Sequence, residues 1–266
     1  MTASATSQTR VIVLGCWAHS YAGPTTSFFV ETRTTRILLD VGCDPIRNLK
    51  AAEIDPTSID AVYLSHLHSD HSSGIANFLF TRILLARKRA LRTERLMVLA
   101  HEETLDGARR LVRIQYPDRD LPADWIPLQK REPVALSDDS TIEIFVNKHT
   151  IPCHGAIIRS GGKTIAFTSD TAPHEDHPSI MAGSNLIIGE CFGLAVDAGP
   201  DIHQRGHSTA EDLAALASKC GPEILVPFHF GERYFEQSSR RLLLTTCAKG
   251  HSARVVDPIS EPVVTI

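Results

Sequence analysis

The sequence predicts an α/β protein built as a four-layer αββα sandwich, in which two packed β-sheets lie between layers of helices. Short apolar runs typical of strands occur in both halves of the chain, and longer amphipathic patterns typical of helices separate some of them. No segment of the 266 residues has the composition of an interdomain linker. We therefore expect residues 10–266 to form a single domain, preceded by a disordered tail at residues 1–9.

The first half of the chain contains both types of element. Predicted strands occupy residues 11–14, 27–31, 37–41, 59–65 and 96–100. Predicted helices occupy residues 44–53, 75–95 and 103–116, and residues 117–127 are expected to form a turn-rich connection. Because only a short polar turn separates residues 27–31 from 37–41, these two strands are expected to pair as an antiparallel hairpin.

The second half has the same mixed composition. Predicted strands occupy residues 141–148, 155–159, 163–168, 186–189 and 224–227, and residues 255–266 supply one or two more. Predicted helices occupy residues 209–219 and 235–248. Ser208 and Glu211 have the spacing of a capping box, which marks the start of the first of these helices.

Four strong metal-ligand side chains follow the predicted strand at residues 59–65 within six positions. They are His66, His68, Asp70 and His71. A strand that ends in such a loop holds its ligands in a fixed arrangement, as a metal site requires. A histidine-rich surface turn is the alternative, but it does not explain the carboxylate between the histidines.

Three later side chains also lie where predicted strands end: His149, Asp170 and His229. Singly, each has an ordinary explanation, because a histidine at a strand end is usually a hydrogen-bonded loop residue and Asp170 would cap the turn that follows it. Side chains at the ends of several strands share one rim of a sandwich, so the three are expected to converge on the first cluster.

This set of residues resembles the signature of the metallo-β-lactamase superfamily, H-x-H-x-D-H followed by a His, an Asp and a final His. The resemblance extends from about residue 11 to about residue 234 and implies the metallo-β-lactamase fold. It also implies two metal sites, one held by His66, His68 and His149, the other by Asp70, His71 and His229, with Asp170 bridging them.

Imidazole and carboxylate donors without a thiolate suit Zn²⁺, and Mn²⁺ or iron would also be accepted. Two divalent ions that share a bridging carboxylate hold a hydroxide between them, because metal binding lowers the pKa of water from 15.7 to about 7. The sequence therefore predicts a dinuclear metal-dependent hydrolase.

Two further residues resemble the ribonuclease Z branch of the superfamily, the tRNA 3′-processing phosphodiesterases. His207-Ser208-Thr209 matches a motif of that branch at a helix start, and Glu190 ends a predicted strand. The resemblance implies that His207, oriented by Glu190, protonates the departing oxygen after hydroxide attack on phosphorus. Asp70, His207 and Glu190 are thus the expected catalytic residues of a phosphodiesterase.

The sequence departs from that branch in ways that bear on the substrate. The long Gly/Pro-rich arm that grips tRNA is missing, and the net charge of −4 does not favour nucleic acid, whose affinity comes mainly from phosphate contacts. The arginines of residues 82–95 are expected on the outside of an amphipathic helix rather than in a phosphate patch. We therefore expect a small-molecule or nucleotide phosphodiester, with RNA less favoured.

Two other functions remain open. One is hydrolysis of a carboxylic ester, lactone or thioester on the same metal site. The other is a weakly catalytic, metal-binding accessory protein of a pathway, which the altered residues around Glu190 would allow.

Several polar residues outside the ligand set are assigned to the surroundings of the site. Candidate substrate-binding residues are His19, Tyr21, His154, Phe192 and His203. The cluster His101-Glu102-Glu103 lacks the second histidine of a zinc-protease helix. Residues 174–177, which contain two histidines, are expected to form a mobile lid.

Composition gives expectations about location and assembly. No apolar run approaches the length of a membrane span, and the chain does not begin with a secretory signal. We therefore expect a cytoplasmic protein whose 6 cysteines are reduced. A homodimer is the expected assembly, since dimers are the commonest oligomers of soluble enzymes.

Overall fold

The structure is a computed structural model that describes residues 8–19, 21–92 and 94–266. Over these ranges the chain forms two seven-stranded β-sheets with helices on their outer sides, which confirms the predicted four-layer αββα sandwich. Most of the predicted tail lies outside the described residues. Thr9, within them, is buried and accepts a hydrogen bond from the Ile266 amide (3.0 Å).

The first sheet has the strand order β14-β1-β2-β3-β4-β5-β6. Its strands are β1 (Arg10–Gly15), β2 (Ser27–Glu31), β3 (Arg36–Leu39), β4 (Ala61–Tyr63), β5 (Leu96–Ala100), β6 (Ala123–Pro127) and β14 (Val263–Thr265). β2 and β3 pair as the predicted antiparallel hairpin, and β3 to β6 run parallel to one another.

The second sheet has the strand order β13-β12-β11-β10-β9-β8-β7. Its strands are β7 (Val134–Ser137), β8 (Ser140–Val146), β9 (His154–Ser160), β10 (Lys163–Phe167), β11 (Leu186–Glu190), β12 (Ile224–Phe228) and β13 (Arg254–Val255). β10 to β13 are parallel, and β8 has the same direction because β9 is antiparallel to both of its neighbours.

The helices connect and cover these strands. They are α1 (Pro45–Ala51), α2 (Ser69–Ser72), α3 (Ile75–Lys88), α4 (Glu102–Gln115), α5 (His177–Met181), α6 (Ala195–Ala198), α7 (Ala210–Cys220) and α8 (Gln237–Cys247). Two 3₁₀ turns, Pro56–Ser58 and Glu232–Phe235, complete the described secondary structure. None of the helices in the described ranges is long and apolar enough to cross a membrane.

Aromatic side chains join the two sheets. Phe28 of β2 contacts Phe167 of β10 (ring centroids 5.8 Å apart) and Phe228 of β12 (5.3 Å). All three side chains are buried. Fully burying a phenylalanine contributes roughly 1.5–3 kcal/mol, so this contact fixes the spacing of the sheets at the level of the site.

Each sheet buries its outer face under helices. Leu49 of α1, Phe78 of α3 and Leu105 of α4 pack in one apolar cluster with the outer side of the first sheet. Leu213 of α7 and Leu243 of α8 belong to the larger cluster, which includes the second sheet. The helices therefore cover the outer faces of the sheets, and the candidate site lies at the ends of the strands.

Three parts of the predicted secondary structure are wrong: one helix end and two strands that were not predicted. The helix predicted over residues 75–95 ends at Lys88, because Ala90 takes a left-handed φ of 54° that no α-helix interior allows, and Leu91 is 50% exposed. β6 lies inside the predicted connection at residues 117–127, and β7 is not predicted at all. Both are edge-region strands with mixed burial, so their apolar pattern is weak.

The arginines of residues 82–95 are partly engaged in the fold. Arg82 is buried and donates to the carbonyls of Pro56 and Ile59 (both 3.0 Å), so its predicted outward position is wrong. Arg89 pairs with Asp55, and Arg95 pairs with Asp124. Three arginines of this segment are therefore held by protein partners and are not free to contact a phosphate group.

The carboxyl ends of the parallel strands meet at one edge of the sandwich. Asp40 follows β3, the His66–His71 cluster follows β4, and Asp170 follows β10. His229 follows β12, and His149 follows β8, which has the same direction. Ligands typically bind at this end of parallel strands, and here it collects residues from both sheets.

Candidate metal centre

The His66–His71 segment is not only a loop, because it contains the single turn of α2. The backbone carbonyl of His68 accepts hydrogen bonds from the amides of His71 and Ser72 (both 3.0 Å) and from the Ser72 hydroxyl (3.1 Å). This turn therefore fixes the positions of Asp70 and His71 relative to His68.

The structure brings the first predicted ligand group together around Asp170. His68 Nδ1 lies 3.2 Å from His66 Nε2 and 3.0 Å from His149 Nε2. Asp170 Oδ2 lies 3.8 Å from His66 Nε2 and 3.9 Å from His149 Nε2. One ligand atom from each of these four residues lies within 4.8 Å of all the others.

The second predicted group converges in the same way. His229 Nε2 lies 3.2 Å from Asp70 Oδ2 and 3.1 Å from Asp170 Oδ2. His71 Nε2 lies 3.4 Å from Asp70 Oδ2 and 3.2 Å from Asp170 Oδ1. Asp170 therefore belongs to both groups, as a bridging ligand must.

Outer hydrogen bonds hold the imidazole rings and set their tautomers. His149 Nδ1 donates to the Gly206 carbonyl (2.9 Å), which leaves the Nε2 lone pair facing the cluster. The Ser65 hydroxyl donates to Asp40 Oδ2 (2.7 Å), so its oxygen is left to accept from His66 Nδ1 (3.0 Å). Such partners raise the basicity of metal-binding histidines and orient them.

Asp40 supports the candidate metal ligand His71 and was not singled out from the sequence. It is fully buried, and its carboxylate accepts from His71 Nδ1 (2.7 Å) and from the Ser65 amide (2.8 Å). Its backbone has a left-handed φ of 58°, which aspartate tolerates better than most residues. The available signal was a lone aspartate at the end of a strongly apolar run.

The cluster fits a cation on electrostatic grounds. Burial alone would lower the pKa of His71, but the carboxylates of Asp170 and Asp40 raise it well above its usual value. Burial likewise opposes the charge of His229, yet Asp170 and Asp70 raise its pKa to about 10. The negative potential that retains these protons also attracts divalent cations.

Hydrogen bonding within the described residues supports the same fit. Asp170 Oδ1 and His71 Nε2 are buried and have no hydrogen-bond partner there. Buried polar atoms are normally paired, and a cation coordinated by both atoms would satisfy them. The donor set, imidazole nitrogens and carboxylate oxygens, suits Zn²⁺, Mn²⁺ or iron.

His207 and Glu190 form a pair beside this cluster, as the sequence predicts. His207 Nδ1 lies 2.5 Å from Glu190 Oε1 and 3.9 Å from Asp170 Oδ2. Glu190 is buried, and its second oxygen accepts from the amides of Thr171 (2.6 Å) and Ser208 (3.3 Å). Oε2 of Glu190 is thus held by backbone amides, while Oε1 orients the imidazole of His207.

The predicted capping box is wrong by one residue. Thr209, not Ser208, is the N-cap of α7, and it exchanges hydrogen bonds with Asp212 rather than Glu211. The Ser208 hydroxyl donates instead to the Thr171 carbonyl (2.6 Å). Ser208 therefore ties the His207 segment to the segment that follows Asp170.

The predicted substrate-binding residues divide into two groups. His19 and Phe192 line one pocket, and the side chain of Phe192 stacks on His207. Tyr21 is 92% exposed and is not among the residues that line this pocket. The other two do not line that pocket: His154 is buried against His101, and His203 pairs with Asp212 (2.7 Å).

The histidines of residues 174–177 pack against the fold. His177 is buried, stacks on His174 and lies 3.3 Å from the Val146 carbonyl through Nε2. Burial lowers the pKa of His177 to about 4. The mobility of this segment stays a prediction.

The six cysteines are free, and their reduced state in the cell stays a prediction.

This sandwich, with its cluster of histidines and aspartates at one edge, has the metallo-β-lactamase fold. A family model described as the Beta-lactamase superfamily domain matches residues 35–230, and the chain belongs to that superfamily. The chain is a hydrolase of the metallo-β-lactamase fold, and its histidines and aspartates form candidate metal-binding groups.

Comparison with individual proteins confirms the resemblance to the ribonuclease Z branch. The chain is 23% identical to ribonuclease Z of Ignicoccus hospitalis over an alignment of 273 positions, which covers 85% of this chain and 89% of that protein. It is 22% identical to the probable metallo-hydrolase YhfI of Bacillus subtilis over 227 residues, covering 84% and 88% respectively.

Solved structures show the same fold. The metallo-β-lactamase fold protein YhfI from Bacillus subtilis matches with a TM-score of 0.76 and 19% identity over 94% of this chain and 96% of that one. The short form of human tRNase Z matches with a TM-score of 0.70 and 20% identity over 85% and 94%.

Proposed function

We propose that this protein is a dinuclear metal-dependent phosphodiesterase. The observation that carries the proposal is the His207–Glu190 pair beside two adjoining ligand groups that share Asp170. The ligand groups account for activation of water, and the pair accounts for a proton donor to the leaving group. The similarity of this chain to ribonuclease Z and to a probable metallo-hydrolase supports this class of reaction.

Seven side chains would hold the two metals, in the groups described above: His66, His68, Asp70, His71, His149, Asp170 and His229. When bound, two divalent ions would supply an acidified water and a Lewis acid for the phosphoryl oxygen. Asp70 is the more exposed of the two carboxylates, with a 19% exposed side chain against 1% for Asp170. Asp70 is therefore placed to orient the attacking water.

The proton donor acts at a defined atom. His207 Nδ1 is engaged by Glu190, so Nε2 is the nitrogen available to the substrate. The attacking water gives up a proton to the solvent, from which His207 is reprotonated after turnover. A bond forms between the oxygen of this water and phosphorus, and the bond from phosphorus to the leaving oxygen breaks. His207 Nε2 delivers a proton to that oxygen, which leaves as an alcohol and gives a phosphomonoester as the other product. The Glu190 carboxylate contacts Nδ1 and thereby holds the ring in position for the transfer.

A small or nucleotide phosphodiester suits the chain better than RNA. Three arginines of residues 82–95 are engaged with protein partners, and the net charge is −4. Nucleic-acid affinity depends largely on free cationic side chains. Zn²⁺ as the native metal, a cytoplasmic location and a homodimer stay predictions.

A substrate panel tests the reaction class. The metal-loaded protein would be assayed with phosphodiesters, lactones, thioesters and a short RNA, and kcat/KM compared. We expect the highest value for a phosphodiester. A preference for lactones or thioesters would support the carboxylic ester alternative, and metal binding without turnover of any substrate would support the accessory protein.

A further inference from the structure

A pocket of about 240 Å³ lies beside Phe192, whose ring stacks on that of His207. Phe192, which follows β11, and Gly231 and Tyr234, which follow β12, form its walls with His19 from the loop after β1. Small-molecule pockets usually measure about 300–1,000 Å³, so this one suits a part of a substrate rather than a whole ligand.

Phe192 connects the pocket to the proton donor. Its ring centroid lies 5.3 Å from that of His207, with the two planes 29° apart, and 6.2 Å from that of His229. The group attached to the leaving oxygen must lie next to His207, because His207 protonates that oxygen. A leaving group is therefore the part of the substrate that reaches the pocket past the Phe192 ring.

The charged groups that line the pocket are paired or acidic. Arg233 Nη1 lies 3.3 Å from Asp197 Oδ1, and Asp197 Oδ2 accepts a hydrogen bond from the Tyr234 hydroxyl (2.8 Å). The same hydroxyl accepts from the Leu194 amide (2.7 Å). Glu232 adds a further carboxylate to the lining. The lining therefore disfavours a second anion on the substrate.

Two aromatic rings give the pocket apolar walls. Phe192 and Tyr234 line it, and the backbone approaches both rings closely. A Cβ at Gly193 would lie 2.8 Å from the Tyr234 ring, and a Cβ at Gly231 would lie 3.4 Å from the Phe192 ring. Apolar groups pack well against such rings.

We propose that this pocket binds the leaving alcohol of the substrate, and that this alcohol carries an apolar group that packs against Phe192. The proposal rests on the proposed phosphodiesterase function and names the class of its substrate. It makes Phe192 a specificity-determining residue on the leaving-group side and assigns no role to the retained ester group.

The test compares two series of substrates with the metal-loaded protein. In the first, methyl 4-alkylphenyl phosphates carry methyl, ethyl or propyl on the leaving phenol, which hardly changes its acidity. In the second, the leaving group is always phenol and the retained ester is methyl, ethyl or propyl. We expect kcat/KM to rise roughly two- to fourfold per methylene in the first series, as burial of each methylene predicts, and to stay flat in the second.

Variants and a binding measurement complete the design. Phe192→Ala should flatten the first series, whereas Phe235→Ala, at a 59% exposed ring outside the pocket lining, should keep it. NMR titration with 4-methylphenol and 4-propylphenol measures affinity without turnover, and the longer phenol should bind more tightly only when Phe192 is present.

The outcomes separate the two proposals. Tighter binding of the longer phenol without hydrolysis of any diester would retain the pocket and refute the phosphodiesterase. Diester hydrolysis with a flat leaving-group series, or with a rise confined to the retained ester, would retain the phosphodiesterase and overturn the pocket assignment. Unchanged slopes in Phe192→Ala would overturn it as well.

Discussion

Replacement of His207 by alanine should slow the reaction by an amount that depends on the leaving group. A positioned general acid contributes about 10²–10⁴-fold to the rate. Phenol and simple alcohols leave poorly as anions and need the proton, whereas p-nitrophenolate leaves without one. We therefore expect His207→Ala to lose about 10²–10⁴-fold in kcat with methyl phenyl phosphate and less than about tenfold with methyl p-nitrophenyl phosphate.

The geometry supports the full range of this effect. The 2.5 Å contact between His207 and a buried carboxylate holds the ring at one angle. Glu190→Gln keeps a hydrogen-bonding group at the same place but removes the charge. It should therefore show the same dependence on the leaving group, with a smaller loss than His207→Ala.

The assay measures kcat for both substrates in the wild type and in each variant at equal metal content. His203→Ala is the matched control, because His203 lies on the same segment but pairs with Asp212 and is half exposed. That control should retain wild-type rates with both substrates. Equal losses with the two leaving groups in His207→Ala would refute the role of proton donor.

Three further predictions concern the supports of the site. Asp40→Asn removes the carboxylate that holds His71 Nδ1, and metal affinity, measured by competition with a chelator, should fall about 10–100-fold. Asn147→Asp removes the amide that donates to the carbonyls of Thr168 (2.6 Å) and Asp170 (3.1 Å), so urea unfolding should show a loss of about 1–3 kcal/mol. The unfolded chain binds a proton at His177 near pH 6.5, but burial keeps the folded pKa at about 4. Stability should therefore fall as pH drops from 6.5 to 4, by at most about 3 kcal/mol, and less steeply in His177→Gln.

The fold and the ligand set were predictable because their signals are local. The strand β5 was predicted with the observed bounds, since Leu96–Ala100 is an uninterrupted apolar run between polar segments. Placement at strand ends indicated that His149, Asp170 and His229 share a rim with the first cluster. The resemblance to the metallo-β-lactamase superfamily supplied the division into two groups and the bridging position of Asp170.

The errors arose where tertiary contacts outweigh local pattern. Arg82 is buried because backbone carbonyls near the start of β4 accept its guanidinium, and nothing in the helical periodicity shows those partners. The sequence could not show that His154, a predicted substrate-binding residue, is buried at the start of β9 and stacks on His101. Asp40 was missed because its role depends on a contact with His71, 31 residues away in the chain.

The most direct test is hydrolysis of bis-p-nitrophenyl phosphate as the metal-free protein is titrated with Zn²⁺ or Mn²⁺. Two ligand groups that share Asp170 predict that activity rises until two metal ions are bound per chain and then stays constant. No hydrolysis at any metal content, or full activity with one ion per chain, would contradict the proposal of a dinuclear phosphodiesterase.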